Sequence, residues 1–228
     1  MTELTEPLVA PPPEESIPIC GFCSTNYYRQ FFNVTTSEVL EKAVCALVVF
    51  RFHRFNELCA RGTDFYGPFW IYATIVFSLA VSQNLFSLLT KPEHTRLVYT
   101  IDYVPKAFGI VYVFGVFVPV FFTFILKTMG TNISFLKTIL IYGYSQCINI
   151  FLLLACAYPN SSSQSFFITW GAVQSSAFVY LCLKDELRNS EGSLQKVAIG
   201  VMSAIQFVLV IIYKRFFFGD LYKANYYA

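Results

Sequence analysis

Five apolar stretches, at roughly 69–89, 107–126, 134–157, 165–183 and 197–213, recur along this 228-residue chain with short polar connections between them. Each is about 17–24 residues long, and at about 1.5 Å per helical residue that is enough to cross a hydrocarbon core of roughly 30 Å. A lipid-embedded backbone must satisfy its own N–H and C=O groups, so long apolar runs of this kind are read as helices. The fold class that follows is an all-α membrane protein with five transmembrane helices. Composition agrees, because 56% hydrophobic and 13% charged residues leave too little polar surface for a soluble globule of this length. A formal net charge of +2 offers neither a basic field for nucleic acid nor an acidic one for cationic substrates, so nucleic-acid binding is not expected.

An odd number of spans puts the two termini on opposite sides. The opening segment, MTELTEPLVAPPPEESIPICG, is acidic and proline-rich and lacks the basic-then-apolar order of a cleaved signal peptide, which places the N-terminus in the cytosol. In that orientation the cytosolic ends carry Arg51, Arg54, Arg61, Lys127, Lys137, Lys184, Arg188 and Lys196, and the luminal ends Lys91, Arg96, Lys106, Lys214, Arg215 and Lys223. Eight against six favours the arrangement weakly under the positive-inside rule and leaves the opposite topology open. Three sequons, opening at Asn33, Asn132 and Asn160, would report on it: the first two are expected to be cytosolic and the third luminal but close to the membrane.

The expected organisation is a disordered cytosolic tail at 1–30, a cytosolic or interfacial amphipathic segment at 31–68, the five-span domain at 69–213 and a short luminal tail at 214–228. Within the second segment Thr35 and Glu38 have the spacing of a capping box, and Ser37, Glu38 and Glu41 put acceptors and negative charge at the start of a helix running to about Leu58. Its apolar core, 43–50, is too short to span, and Arg51, His53, Arg54 and Arg61 follow directly. Two placements satisfy this pattern: a helix lying in the interface with its basic end on anionic headgroups, or a helix buried in a small cytosolic domain.

Polar residues inside the spans are amides, Gln83, Asn84, Gln146, Asn149, Gln174 and Gln206, which read as interhelical hydrogen-bonding groups. Acids and bases at mid-depth would suggest a transporter or proton relay, and none is present. Gly109, Gly115, Gly143, Gly171 and Gly200 are candidate notches for close helix approach, and Pro119 is a candidate kink. Catalytic constellations are missing: Asp185 and Glu186 are adjacent and diverge by about 100° on a helix, and His53 and His94 fall on opposite membrane sides. Cys20 and Cys23 form a lone CxxC, weak as a metal signal, and Cys45, Cys59, Cys147, Cys156 and Cys182 read as packing or interfacial thiols. The internal KDEL at 184–187 reads as a loop, since receptors take that signal only at a C-terminus. No enzyme activity, cofactor or metal is expected.

Three motifs in a fixed order are more specific. YYRQFFNVTTSEVLEK (27–42), TDFYGPFWI (63–71) before the first span and IYGYS (141–145) in the third together resemble the Ypt-interacting-protein family, the Yip-domain proteins that associate with Rab GTPases. The resemblance covers about 27–213 and is nearest to the branch called Yip-domain family members one and two, with Asn33 in place of that branch's aspartate and Phe65 in place of leucine. It implies a multi-pass membrane protein of the Golgi or early secretory pathway that acts as an adaptor in vesicle transport and Golgi organisation. The partners it implies are Rab GTPases, in prenylated form, and other Yip-domain proteins, besides the lipid bilayer itself. The alternative from another class is a small transporter or channel. Physically, Gly67 and Pro68 suit a turn, Asp64 can accept from its amides, and Tyr66, Phe69 and Trp70 suit a belt at headgroup depth. The candidate site is therefore Asp64, Tyr66, Gly67, Pro68, Trp70, Tyr142, Gly143 and Tyr144, with two readings open at each position: architecture, or contact with a partner, lipid or prenyl chain.

Overall fold

The structure is a computed structural model and describes residues 34–62, 64–90, 101, 103–186 and 193–218. The expected tail at 1–30, Asn33, His94 and the Cys20–Cys23 pair lie outside the described residues. Those described are helical, with no strand among them, and five helical stretches are long and apolar enough to cross a membrane: Tyr66–Thr90, Tyr103–Thr128, Phe135–Ala155, Ser161–Asp185 and Lys196–Phe217.

Two helices precede the spans, α1 (Thr36–Leu47) and α2 (Phe52–Arg61), so the single helix expected to run to about Leu58 is broken. The break falls at Val48, whose extended backbone is followed by a short 3₁₀ turn, Val49–Arg51. Consecutive β-branched residues are among the poorer helix formers, so the helix is weakest there. The expected capping box is not formed either. The Thr35 hydroxyl pairs with the Ser37 hydroxyl at 3.2 Å, and the first turn is closed by the Thr35 carbonyl, which accepts from the amides of Glu38 and Val39.

The first span is α3 (Tyr66–Thr90) and the second is α4 (Tyr103–Thr128), which runs through Pro119 as one helix. Its C-terminus is closed by a Schellman arrangement, with Gly130 at φ 84°, Gly130 N–H donating to Lys127 O and Thr131 N–H to Leu126 O. The third span is two helices, α5 (Phe135–Ser145) and α6 (Cys147–Ala155), joined at Gln146. It is the most central span, 61% buried over its apolar window against 33% for the second, and packs against α3, α4 and the fourth span, α7 (Ser161–Glu186). Asn160, singled out as a sequon, caps α7 by accepting from Ser162 N–H at 3.0 Å. The last span is α8 (Ser193–Tyr213), extended by a π-helical turn at Lys214–Phe218. Lys184, Asp185 and Glu186 belong to the final turn of α7, which corrects the expectation of a loop at that place.

Alternation of the spans puts the start of α3, the α4–α5 turn and the end of α7 at one end of the bundle, and α1 and α2 fold onto that end as a hairpin. α1 packs on α5 and α6, while α2 packs on α7. The hairpin reaches inward. At its tip Leu47 O accepts from Gln174 Nε2 at 2.6 Å, and Gln174 lies midway along α7. At its base Asn56 Nδ2 donates to Cys182 O and to Asp185 Oδ2, in the last turns of α7. Phe55, fully buried, meets Tyr144 and Phe178 edge-on between these two levels.

Candidate functional site

The DFYGP and YGY motifs, separated by some eighty residues of chain, meet face to face. Asp64 lies just ahead of α3 and is 3% exposed. Its Oδ1 accepts from Gly67 N–H at 2.9 Å, closing the first turn of α3, and from the Tyr144 hydroxyl at 3.3 Å. Its Oδ2 is 2.5 Å from Lys42 Nζ, which also donates to Gly62 O at 3.1 Å. One carboxylate thus joins α1, α3 and α5. Lys42 is itself 3% exposed, so the pair is a sealed ion pair whose remaining hydrogen-bonding capacity is largely used.

Glycine is required on both sides of this contact for steric reasons. A Cβ on Gly67 would lie 2.0 Å from the Tyr144 hydroxyl, and one on Gly143 would lie 2.6 Å from Pro68 Cβ. Each motif therefore contributes one notch and one knob: Tyr144 fills the space left by Gly67, and Pro68 the space left by Gly143. Gly67 and Pro68 sit inside the first turn of α3, where the expected separate turn is absent. Proline is tolerated there because first-turn N–H groups have no intrahelical acceptor to lose.

Of the eight candidate residues, Asp64, Gly67, Pro68, Gly143 and Tyr144 form this contact. Tyr142 is fully buried but, two residues from Tyr144, leaves α5 in a different direction, and its hydroxyl has no partner among the described residues. Tyr66 and Trp70 face outward at 40% and 52% exposure, with Phe69 beside them at 50%, as an aromatic belt requires. Sequence reasoning missed Lys42. The available signal was a charge at i−3 and i−4 from Cys45 and Ala46, on the buried face of α1.

Elsewhere Gln146, Asn149, Gln174 and Gln206 tie helices together, while the buried Gln83 Oε1 has no hydrogen-bond partner among the described residues. Gln146 Nε2 donates to Gln206 Oε1 at 2.5 Å, tying the third span to α8, and Asn149 donates to Gln146 Oε1 at 2.6 Å. Gln174 serves the hairpin tip rather than another span, and Asn84 bonds within its own helix to Ala80 O. Of the candidate notches, Gly115 admits the Tyr72 ring and Gly171 the Asn149 amide, whereas Gly109 and Gly200 have open space where a Cβ would stand. His53 approaches Asp185 at 3.3 Å. All five described cysteines are buried, which decides for packing over an interfacial role, and burial pushes the Cys45 thiol up from its ordinary value.

Five spans capped at one end by an inward-reaching helical hairpin, with the junction sealed by a buried ion pair, define a polytopic all-α membrane protein. Residues 46–213 match the Yip1 domain, and the chain belongs to that family. It is similar to the protein named YIPF1 homolog of Dictyostelium discoideum, 26% identical over 200 residues that cover 88% of this chain and 57% of that protein. The chain thus spans little more than half the length of this curated relative. No solved structure matches.

Proposed function

We propose that this protein is a membrane adaptor of ER–Golgi and intra-Golgi vesicle transport that binds Rab GTPases and partner Yip-domain proteins and helps to maintain Golgi organisation. The observation that carries this reading is the Yip1-domain match, which takes in the second half of the hairpin and all five spans. In this reading the protein resides in Golgi membranes, with traffic through the ER, and has its hairpin end in the cytosol and residues 214–228 in the lumen. The buried ion pair and the two glycine notches are architectural; Tyr66 and Trp70, which face outward beside them, are the motif residues open to a partner.

The partner is a prenylated Rab because the cytosolic surface is small. The described part of the segment before the spans spends one face on the bundle, which limits what it can add toward the roughly 1,200–2,000 Å² of a stable protein-only interface. Two geranylgeranyl chains would add membrane affinity at about 0.8 kcal/mol per buried methylene. Full-length protein in nanodiscs should capture prenylated Rab and retain much less of the same Rab with its C-terminal cysteines changed to serine. Equal capture of both forms defeats the prenyl component, and no capture of any Rab defeats the Rab reading. For orientation, a sequon placed after Tyr222 on a spacer should acquire glycan, whereas glycan on Asn33 reverses the topology.

A further inference from the structure

The hairpin tip presents two grooves side by side. One, of about 380 Å³, is formed by Leu47, Val48, Val49 and Phe50 against Trp170 and Val173 of α7, and is almost wholly apolar. The other, of about 480 Å³, lies between α1 and α2 and is lined by Ser37, Leu40, Glu41, Val44, Arg51 and Arg54. Phe50 lines the first and its neighbour Arg51 the second, so apolar and polar surfaces meet at the tip. Both volumes fall in the range of small-ligand sites, roughly 300–1,000 Å³.

The walls of the apolar groove face outward from the bundle: Phe50 is 90% exposed, Trp170 54% and Val173 47%. Val173 and Trp170 belong to the middle of a spanning helix, so what surrounds them is hydrocarbon, and the material able to enter is an acyl chain. Charge makes a second demand. Arg54 is held by Glu41 and Glu57 at 2.9 and 3.2 Å, whereas Arg51 makes no salt bridge among the described residues. Arg51 lies between the level of Gln174, which Leu47 reaches, and the last turn of α7, where His53 meets Asp185 at 3.3 Å, and an exposed arginine at that depth is costly in a bilayer unless it extends to the interface or draws in a counter-charge. A guanidinium is shaped for bidentate pairing with phosphate, and a lipid phosphate is the anion the surroundings supply.

We propose that the hairpin tip is a phospholipid site, with one acyl chain in the groove between residues 47–50 and Trp170 and the phosphate on Arg51. The site is independent of the Rab reading and would be present with no protein partner bound. It also accounts for the tip's composition: apolar Val48–Phe50 and cationic Arg51 in sequence match the two ends of one amphiphile.

The test uses the full-length protein in phosphatidylcholine nanodiscs containing phosphatidic acid with a diazirine on its acyl chain. After photolysis, label at Trp170, Val173 and Phe50 should exceed that at the lipid-facing Phe121 and Phe207 several-fold. Arg51→Gln should bring it down to the level of those two controls, and so should Val173→Trp or Ala177→Phe, both at positions that line the groove, which fill it and leave Arg51 in place. Thermal melting confirms that each variant is folded, and having two groove-filling variants allows one to fail. A diacylglycerol probe with the same chain and no phosphate should label the groove no more than the controls. Uniform label across all lipid-facing positions, unchanged label in Arg51→Gln, or equal label from the diacylglycerol overturns the proposal. Absence of enrichment at Trp170 in the wild type would give the groove to a protein segment and overturn it equally.

Discussion

The molecule has two polar seams, and they use different chemistry. At the hairpin junction a full ion pair, Lys42 with Asp64, ties three helices together. At mid-depth the third span and α8 are joined by neutral amides, Gln146 with Gln206, backed by Asn149 and by Ser145, whose hydroxyl accepts from Gln206. The junction sits at the mouth of the first span, where the chain enters the bilayer, and a charge there can be matched by one opposite charge and the dipole of a helix N-terminus. Deep in the bundle an unpaired charge has no such relief, so the seam is built from groups that stay neutral if a partner moves away. The comparison predicts that the two seams respond to mutation by different amounts.

Breaking the junction should cost most. Asp64→Ala leaves Lys42 buried without its counter-charge, and loss of one partner of such a pair typically costs about 3–5 kcal/mol. The expected readout is a lowered melting temperature in detergent together with new protease cleavage at residues 48–51, as the hairpin leaves the bundle. Lys42→Met combined with Asp64→Leu should recover much of the loss; a double variant as unstable as the single one would mean that the helix-closing contact to Gly67, rather than the charge, holds the junction.

Next in size are the notches. Gly67→Ala drives a methyl into a buried tyrosine, and overpacking of this kind costs about 1–3 kcal/mol. Gly143→Ala should behave alike, whereas Gly200→Ala, where the added Cβ meets nothing within 4 Å, should be neutral within measurement. Equal effects at all three positions would remove the steric reading of the junction.

The amide seam should show a smaller effect. Gln206→Leu removes two interhelical hydrogen bonds, to Gln146 and to Ser145, but leaves Gln146 with its Asn149 donor, and such bonds in membrane bundles average about 0.6 kcal/mol each. A loss as large as that of Asp64→Ala would show that depth does not set the difference between the seams. Smallest of all should be Trp70→Ala, whose ring is half exposed: stability nearly unchanged, with the consequence confined to membrane depth or partner capture.

The pattern of residues by itself determined the number of spans, the helical class and the chemistry of the mid-depth seam, because those depend on length, hydrophobicity and residue type, which are local quantities. It also marked Asp64, Gly67, Pro68 and Gly143 as positions with a job, since an acid, a glycine and a proline at the mouth of one span and a glycine between two tyrosines inside another have few other uses. The partners of those positions were decided by tertiary structure alone. Whether Gly67 formed a turn or a notch depended on Tyr144 arriving from another helix, and Lys42 looked like one more basic residue until packing of α1 on α5 closed water out around it. The hairpin is the same lesson at larger scale: periodicity over residues 36–61 is helical throughout, and only the carboxamide of Gln174, presented by α7 to the open carbonyl of Leu47, makes a break at mid-depth affordable in a medium with no water to satisfy it.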